Sequence, residues 1–266
     1  MILETVKLTK NSDAALTSYV HDGADVISHA PRTAILVIPG GGYQFVSERE
    51  NEPIALKFFS EGFNVYALKY SVGKGARDYA PLIEAAYAVK YIRDNAAAHN
   101  TDPEKVFSCG FSAGGHLAAW IGVRPDDPHI PAEARTDKHI CGMVLSYPVI
   151  SGGQFAHIGS FLNLVGKKDA TMTEREAFSL EKFIDKNTCP AFIWHTANDK
   201  TVPVQNSLLL AEALAKESVP FELHVFPDGP HGLALATEET SNGSGNMINP
   251  HAAIWFELAV RWIKRF

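Results

Sequence analysis

Apolar and polar positions along this chain change period from block to block. Ala34-Ile35-Leu36-Val37-Ile38 is a continuous apolar run that stops at Pro39-Gly40-Gly41-Gly42. Such a run predicts a strand buried on both faces, ended by a sharp loop. Further strands are expected at 63–70, 105–109, 140–147, 190–194 and 221–226. Between them the spacing becomes helical. In 81–95, Leu82, Ala85, Ala86, Val89 and Ile92 fall on one face. Segments 52–61, 115–121, 206–216 and 252–264 also read as helices, and two short strands are expected near 4–8 and 15–21. Strands alternating with helices predict an α/β protein, a mostly parallel sheet with helices on both faces. Its chemistry belongs on loops at the carboxyl ends of the strands. Segment 151–187 is mixed and irregular, and is expected to form a small cap-like insertion in a single domain spanning 1–266.

Composition narrows the function classes. The 266 residues carry a net charge of −6, with no basic stripe and no Lys/Arg run, which argues against nucleic acid as a partner. No window approaches the roughly 18 apolar residues of a membrane span, and the first residues lack a secretory pattern. A cytoplasmic protein is expected. Cys109, Cys141 and Cys189 lack metal-type spacing and sit in or beside apolar runs, so buried reduced thiols are expected. No metal or other cofactor is implied, and self-association stays open.

Gly110-Phe111-Ser112-Ala113-Gly114 lies between the strand at 105–109 and the helix at 115–121. A strand, a tight turn carrying serine and then a helix is the geometry of a nucleophile elbow. A β-carbon at Gly110 or Gly114 would crowd the turn. The helix N-terminus would face developing negative charge. A serine hydroxyl needs a base, and the base needs a group that sets its tautomer. In such sheets the acid follows the serine in sequence and the histidine comes last. Asp199, on the loop after strand 190–194, is the first candidate acid and Asp228 the second. His231, in the loop Pro227-Asp228-Gly229-Pro230-His231-Gly232 after strand 221–226, is the candidate base. His224 reads as a strand residue, His251 as a surface or capping residue, and His116 as a packed helix residue. His195 is expected beside the site rather than in it. Gly41 and Gly42, with the N–H of Ala113, are the candidate oxyanion donors. No Lys-Ser/Thr follows the glycines, so they are not a P-loop. Tyr43 and Phe45, beside these glycines, either narrow the acyl side of the pocket, with Tyr43 as a candidate substrate contact, or pack into the core.

Pro39-Gly40-Gly41-Gly42-Tyr43 resembles the HGGG oxyanion loop of hormone-sensitive-lipase-like esterases, with Pro39 in place of the motif's histidine. Together with Gly110-Phe111-Ser112-Ala113-Gly114-Gly115-His116 and Trp194-His195-Thr196, it is similar to the bacterial acetyl-xylan-esterase-like group of the α/β-hydrolase superfamily. The resemblance runs from about residue 34 to the C-terminus. It implies an α/β-hydrolase fold and a triad of Ser112, Asp199 and His231. The implied activity is cleavage of small carboxylic esters, with acetylated sugars as the substrate class. An amide hydrolase, such as a formamidase or peptidase, would use the same triad. A catalytically weak ligand-binding protein is the alternative of another class. Phe155, Phe161, Leu162, Leu164 and Val165 would wall a small pocket, which favours acetyl to butyryl esters over lipids.

Overall fold

The computed structural model describes residues 1–10, 12–22 and 30–266. Eight strands form one sheet in the order β1-β2-β4-β3-β5-β6-β7-β8. They are β1 (Ile2–Lys7), β2 (Ala15–Val20), β3 (Arg32–Ile38), β4 (Asn64–Lys69), β5 (Thr101–Phe111), β6 (Gly142–Ser146), β7 (Ala191–Thr196) and β8 (Phe221–Phe226). β1 and β2 run antiparallel at one edge. From β4 to β8 every pairing is parallel. That parallel block explains the unbroken apolar runs: β3, β4 and β6 are buried almost throughout because helices cover both faces.

One face is covered by α2 (Ala80–Asp94), α3 (Ala113–Val123) and α6 (Gln205–Lys216), which pack Leu82, Leu117, Trp120 and Leu210 against the sheet. The other carries α1 (Glu52–Ser60) and α8 (Trp255–Ile263), with Phe58, Trp255 and Trp262 on Phe107, Phe192 and Trp194. α3 is buried along its whole length, and so has no polar face in its sequence.

Three elements differ from expectation. β5 begins at Thr101, four residues before the apolar run, because parallel pairing with β3 resumes across a bulge between Arg32 and Ala34. The closing helix divides at Ile254 into α7 (Pro250–Ala253), whose N-cap Asn249 accepts from the Ala252 N–H, and α8. Segment 151–187 contains α4 (Ile158–Val165), ended by left-handed Gly166, and α5 (Met172–Glu176), opened by a Thr171/Glu174 capping box. Cys109 and Cys189 are buried free thiols as expected, whereas Cys141 is only half-buried. No helix among the described residues is long and apolar enough to cross a membrane.

Candidate active site

Parallel strands deliver their carboxyl ends to one side of the sheet, and the loops after β3, β5, β7 and β8 meet there. The turn after β5 carries Ser112 with φ 53° and ψ −118°, outside the regions a serine ordinarily adopts. Main-chain bonds hold this conformation. Ser112 N–H donates to Ser146 O at 3.0 Å, and Ser112 O accepts from His116 N at 3.1 Å and Val149 N at 3.0 Å. The flanking glycines are required by space. A β-carbon on Gly110 would collide with the Gly114 carbonyl and Ala118, and one on Gly114 with the carbonyls of Ile38 and Pro39.

His231 reaches this serine from the loop after β8. Its Nε2 lies 2.8 Å from Ser112 Oγ, and its Nδ1 lies 2.6 Å from Asp199 Oδ2. The carboxylate accepts from Nδ1–H, so Nε2 accepts from the serine hydroxyl. Asp199 is itself fully engaged. Its Oδ1 accepts from the N–H groups of Thr201 (2.8 Å) and Val202 (3.0 Å). Its Oδ2 also lies 3.3 Å from Nε2 of His195. Burial alone would raise the Asp199 pKa, but the hydrogen bonds from His195 and His231 outweigh it and hold the carboxyl well below its ordinary range. His195 is fully buried and donates from Nε2 to Val202 O at 3.0 Å, while its Nδ1 meets Ser207 Oγ at 2.8 Å. It thus anchors the acid's loop, consistent with its expected place beside the site. The alternative acid, Asp228, points elsewhere: its Oδ1 accepts from Asn198 Nδ2 at 3.3 Å.

Across Ser112 stands the loop after β3. Gly41, Gly42 and Tyr43 all have positive φ, so the chain turns sharply here. The N–H groups of Gly41, Gly42 and Ala113 have no acceptor among the described residues. Ala113 opens α3, so its N–H also carries the positive end of the helix dipole. A β-carbon on Gly41 would strike the Phe45 carbonyl, which explains glycine there.

Tyr43 corrects the expectation of a substrate contact. Its side chain is completely buried, and its hydroxyl donates to His116 Nδ1 at 2.8 Å. His116 donates from Nε2 to Phe178 O at 2.9 Å, and burial lowers its pKa to about 4, so it remains neutral. Tyr43 therefore braces the glycine loop from below. Phe45, two residues on, is 59% exposed at the rim of the cleft instead.

Sequence reading missed the residues that replace the motif's histidine as braces. Glu50 is buried, with Oε2 accepting from Gly40 N–H at 2.9 Å and Oε1 from the Tyr147 hydroxyl at 2.7 Å. Tyr147 Oη in turn accepts from Ala234 N–H at 2.9 Å, and its ring meets His231 edge-on at 5.1 Å. Burial, then the Glu50 charge, holds the Tyr147 phenol well above its ordinary pKa, so it stays a donor. The neighbouring Arg49 donates to the carbonyls of Thr240 and, at 2.7 Å, Gly232. One short turn thus ties the glycine loop to the histidine loop. Tyr70 adds a bond to Pro39 O, and Asn163 one to Gly42 O, each at 2.8 Å. In the sequence, no motif singles out Glu48-Arg49-Glu50.

Ser112, His231 and the glycine loop line a cleft of about 650 Å³ with Phe45 and His157 on its walls. Among the described residues no group of three or more His, Cys, Asp or Glu is placed to hold a metal.

The strand order and the strained serine turn after β5 are those of the α/β hydrolases, and similar solved structures share this fold. Within that class the chain belongs to the BD-FAE family, whose pattern matches residues 26–214. It is 39% identical over 233 residues to endo-1,4-beta-xylanase B of Butyrivibrio fibrisolvens, covering 86% of this chain and 36% of that protein. It is 30% identical over 211 residues to the acetylxylan esterase of Xylanibacter ruminicola, covering 77% and 42% respectively. The chain thus spans less than half the length of these two relatives. The crystal structure of the carboxylesterase Cest-2923 from Lactobacillus plantarum superposes with a TM-score of 0.86 at 29% identity, covering 100% of this chain and 98% of that one.

Proposed function

We propose that this protein is a serine carboxylesterase that removes short acyl groups, acetyl above all, from sugar hydroxyls. The observation that carries the reading is the relay from Asp199 through His231 to Ser112, at 2.6 and 2.8 Å, beside three backbone N–H groups without acceptors among the described residues. Ser112 Oγ attacks the acyl carbon as His231 Nε2 takes its proton. The carbonyl electrons move onto oxygen, where Gly41, Gly42 and Ala113 donate to the oxyanion. The imidazolium, stabilised by Asp199, returns the proton to the leaving alkoxide as the C–O bond breaks. Water then attacks the acyl-enzyme with His231 as base, and the acid and Ser112 are released. Each step uses the chain's own groups and water. The sugar assignment draws on the acetylxylan esterase and xylanase relatives and on a cleft whose lining includes Gln44, Asn163 and Asn242.

The test is hydrolysis of p-nitrophenyl acetate alongside acetylated xylo-oligosaccharides, a feruloyl ester and N-formylkynurenine. Acetylated sugars are expected to give the highest kcat/KM. Ser112→Ala should remain folded and lose at least about three orders of magnitude in kcat. Full activity of that variant would remove the serine mechanism. Preference for the formamide would move the enzyme to amide chemistry, and no turnover of any substrate would favour a binding role.

A further inference from the structure

His157 is a histidine of the cleft that the hydrolytic steps leave unused. It precedes α4 and lines the same cavity as Ser112 and His231. Its ring is held in place, with Nδ1 2.8 Å from Oγ of Ser160, a fully buried residue. Among the described residues that hydroxyl has no other partner, so its proton goes to Nδ1 and the ring proton sits on Nε2. Nε2 itself has no hydrogen-bond partner among the described residues and is open to the cleft. The ring flanks the glycine loop: its Cε1 lies 3.7 Å from the place a β-carbon would take on Gly42. Burial lowers its pKa, the charge of His231 lowers it further, and Asp199 opposes both. Near neutral pH the ring is therefore an uncharged N–H donor on the cleft wall.

We propose that His157 determines specificity for the alcohol half of the ester, its Nε2–H donating to a hydroxyl on the carbon next to the acylated one. The inference rests on the reading of Ser112 as an ester-cleaving nucleophile. His231 must touch the leaving oxygen to protonate it, so the alcohol half occupies the flank of the cleft where His231 stands. His157 lines the same cleft as His231 and stands beside the glycine loop. A donor there recognises a polyol and gains nothing from a simple alkyl ester. Placed on the non-reacting part of the substrate, it acts on binding more than on the chemical step.

Matched acetates test this: cyclohexyl acetate and trans-2-hydroxycyclohexyl acetate, which differ by one hydroxyl. Wild-type protein is expected to favour the hydroxy ester by about five- to tenfold in kcat/KM, the worth of one neutral hydrogen bond. His157→Ala should reduce that ratio to about one, chiefly by raising KM for the hydroxy ester. His157→Phe keeps a ring without the donor and should do the same, and it carries the comparison where the Ala variant folds poorly. His157→Gln retains an N–H and should keep part of the preference. A wild-type ratio near one, or an undiminished ratio in His157→Phe, overturns the proposal. Turnover of both esters by Ser112→Ala would instead overturn the nucleophile reading on which it rests.

Discussion

Glu50→Gln removes one charge, leaves the side chain's shape intact and strikes the brace that joins the two loops of the site. The carboxylate accepts from Gly40 N–H at 2.9 Å and from Tyr147 O–H at 2.7 Å, and the residue is 3% exposed. An amide offers one oxygen and one NH2 group, so whichever way it turns, one donor faces another donor. Tyr147 cannot simply reverse its hydroxyl, because its oxygen already accepts from Ala234 N–H. Hydrogen bonds to charged groups contribute about 1.5–3 kcal/mol, and a buried donor left alone costs about 1–3 kcal/mol. We therefore expect a loss of about 2–4 kcal/mol in stability, or roughly 4–7 °C in Tm for a chain of this size. Activity should suffer separately. Gly40 precedes the two donors, and a displaced donor acts mainly on the transition state, so kcat for p-nitrophenyl acetate should fall about 10- to 100-fold with less change in KM. Thermal unfolding and steady-state kinetics on the same preparation check both. Glu48→Gln removes the same charge from an exposed position on the same turn and should change stability by less than about 0.5 kcal/mol. If Glu50→Gln retains wild-type Tm and kcat, or if Glu48→Gln matches its losses, the brace is not what holds the loops.

Asp199→Asn should reduce kcat by about four orders of magnitude by disturbing the His231 tautomer, whereas Asp228→Asn should be mild; kinetics showing the reverse order would reassign the acid. Folded His116 takes its proton near pH 4 and a histidine in the unfolded chain near 6.5. The unfolded state therefore binds more protons as pH falls through that window, and stability declines by at most about 3 kcal/mol. His116→Gln should flatten this decline in denaturant titrations between pH 7 and 4, and parallel curves would refute the assignment. In a series of p-nitrophenyl esters, kcat/KM should peak between acetyl and butyryl; a maximum at octanoyl or longer would mean a deeper acyl pocket than proposed.

The legible parts of this protein were those that local chemistry decides. Apolar runs marked β3, β4, β6 and β7 because strands buried on both faces need no polar positions. The serine turn was readable because only glycine fits at 110 and 114, and the loops carrying Asp199 and His231 because each directly follows a strand. Other features depended on where distant segments meet. Asp199 and Asp228 are equally acidic in the sequence, and only the path of the loop after β7, anchored by His195, brings the former to His231. Tyr43 beside the glycines read equally as a pocket wall or as core, and only the fold turned it inward to His116. Glu50 and Tyr147 lie 97 residues apart and form one hydrogen-bonded brace. His157 met the cleft only once α4 packed over the glycine loop. Backbone turns depend on a few neighbouring residues and are written in short motifs. Which side chains converge depends on the strand order that gathers the ends of β3, β5, β6, β7 and β8, and no local pattern encodes that order.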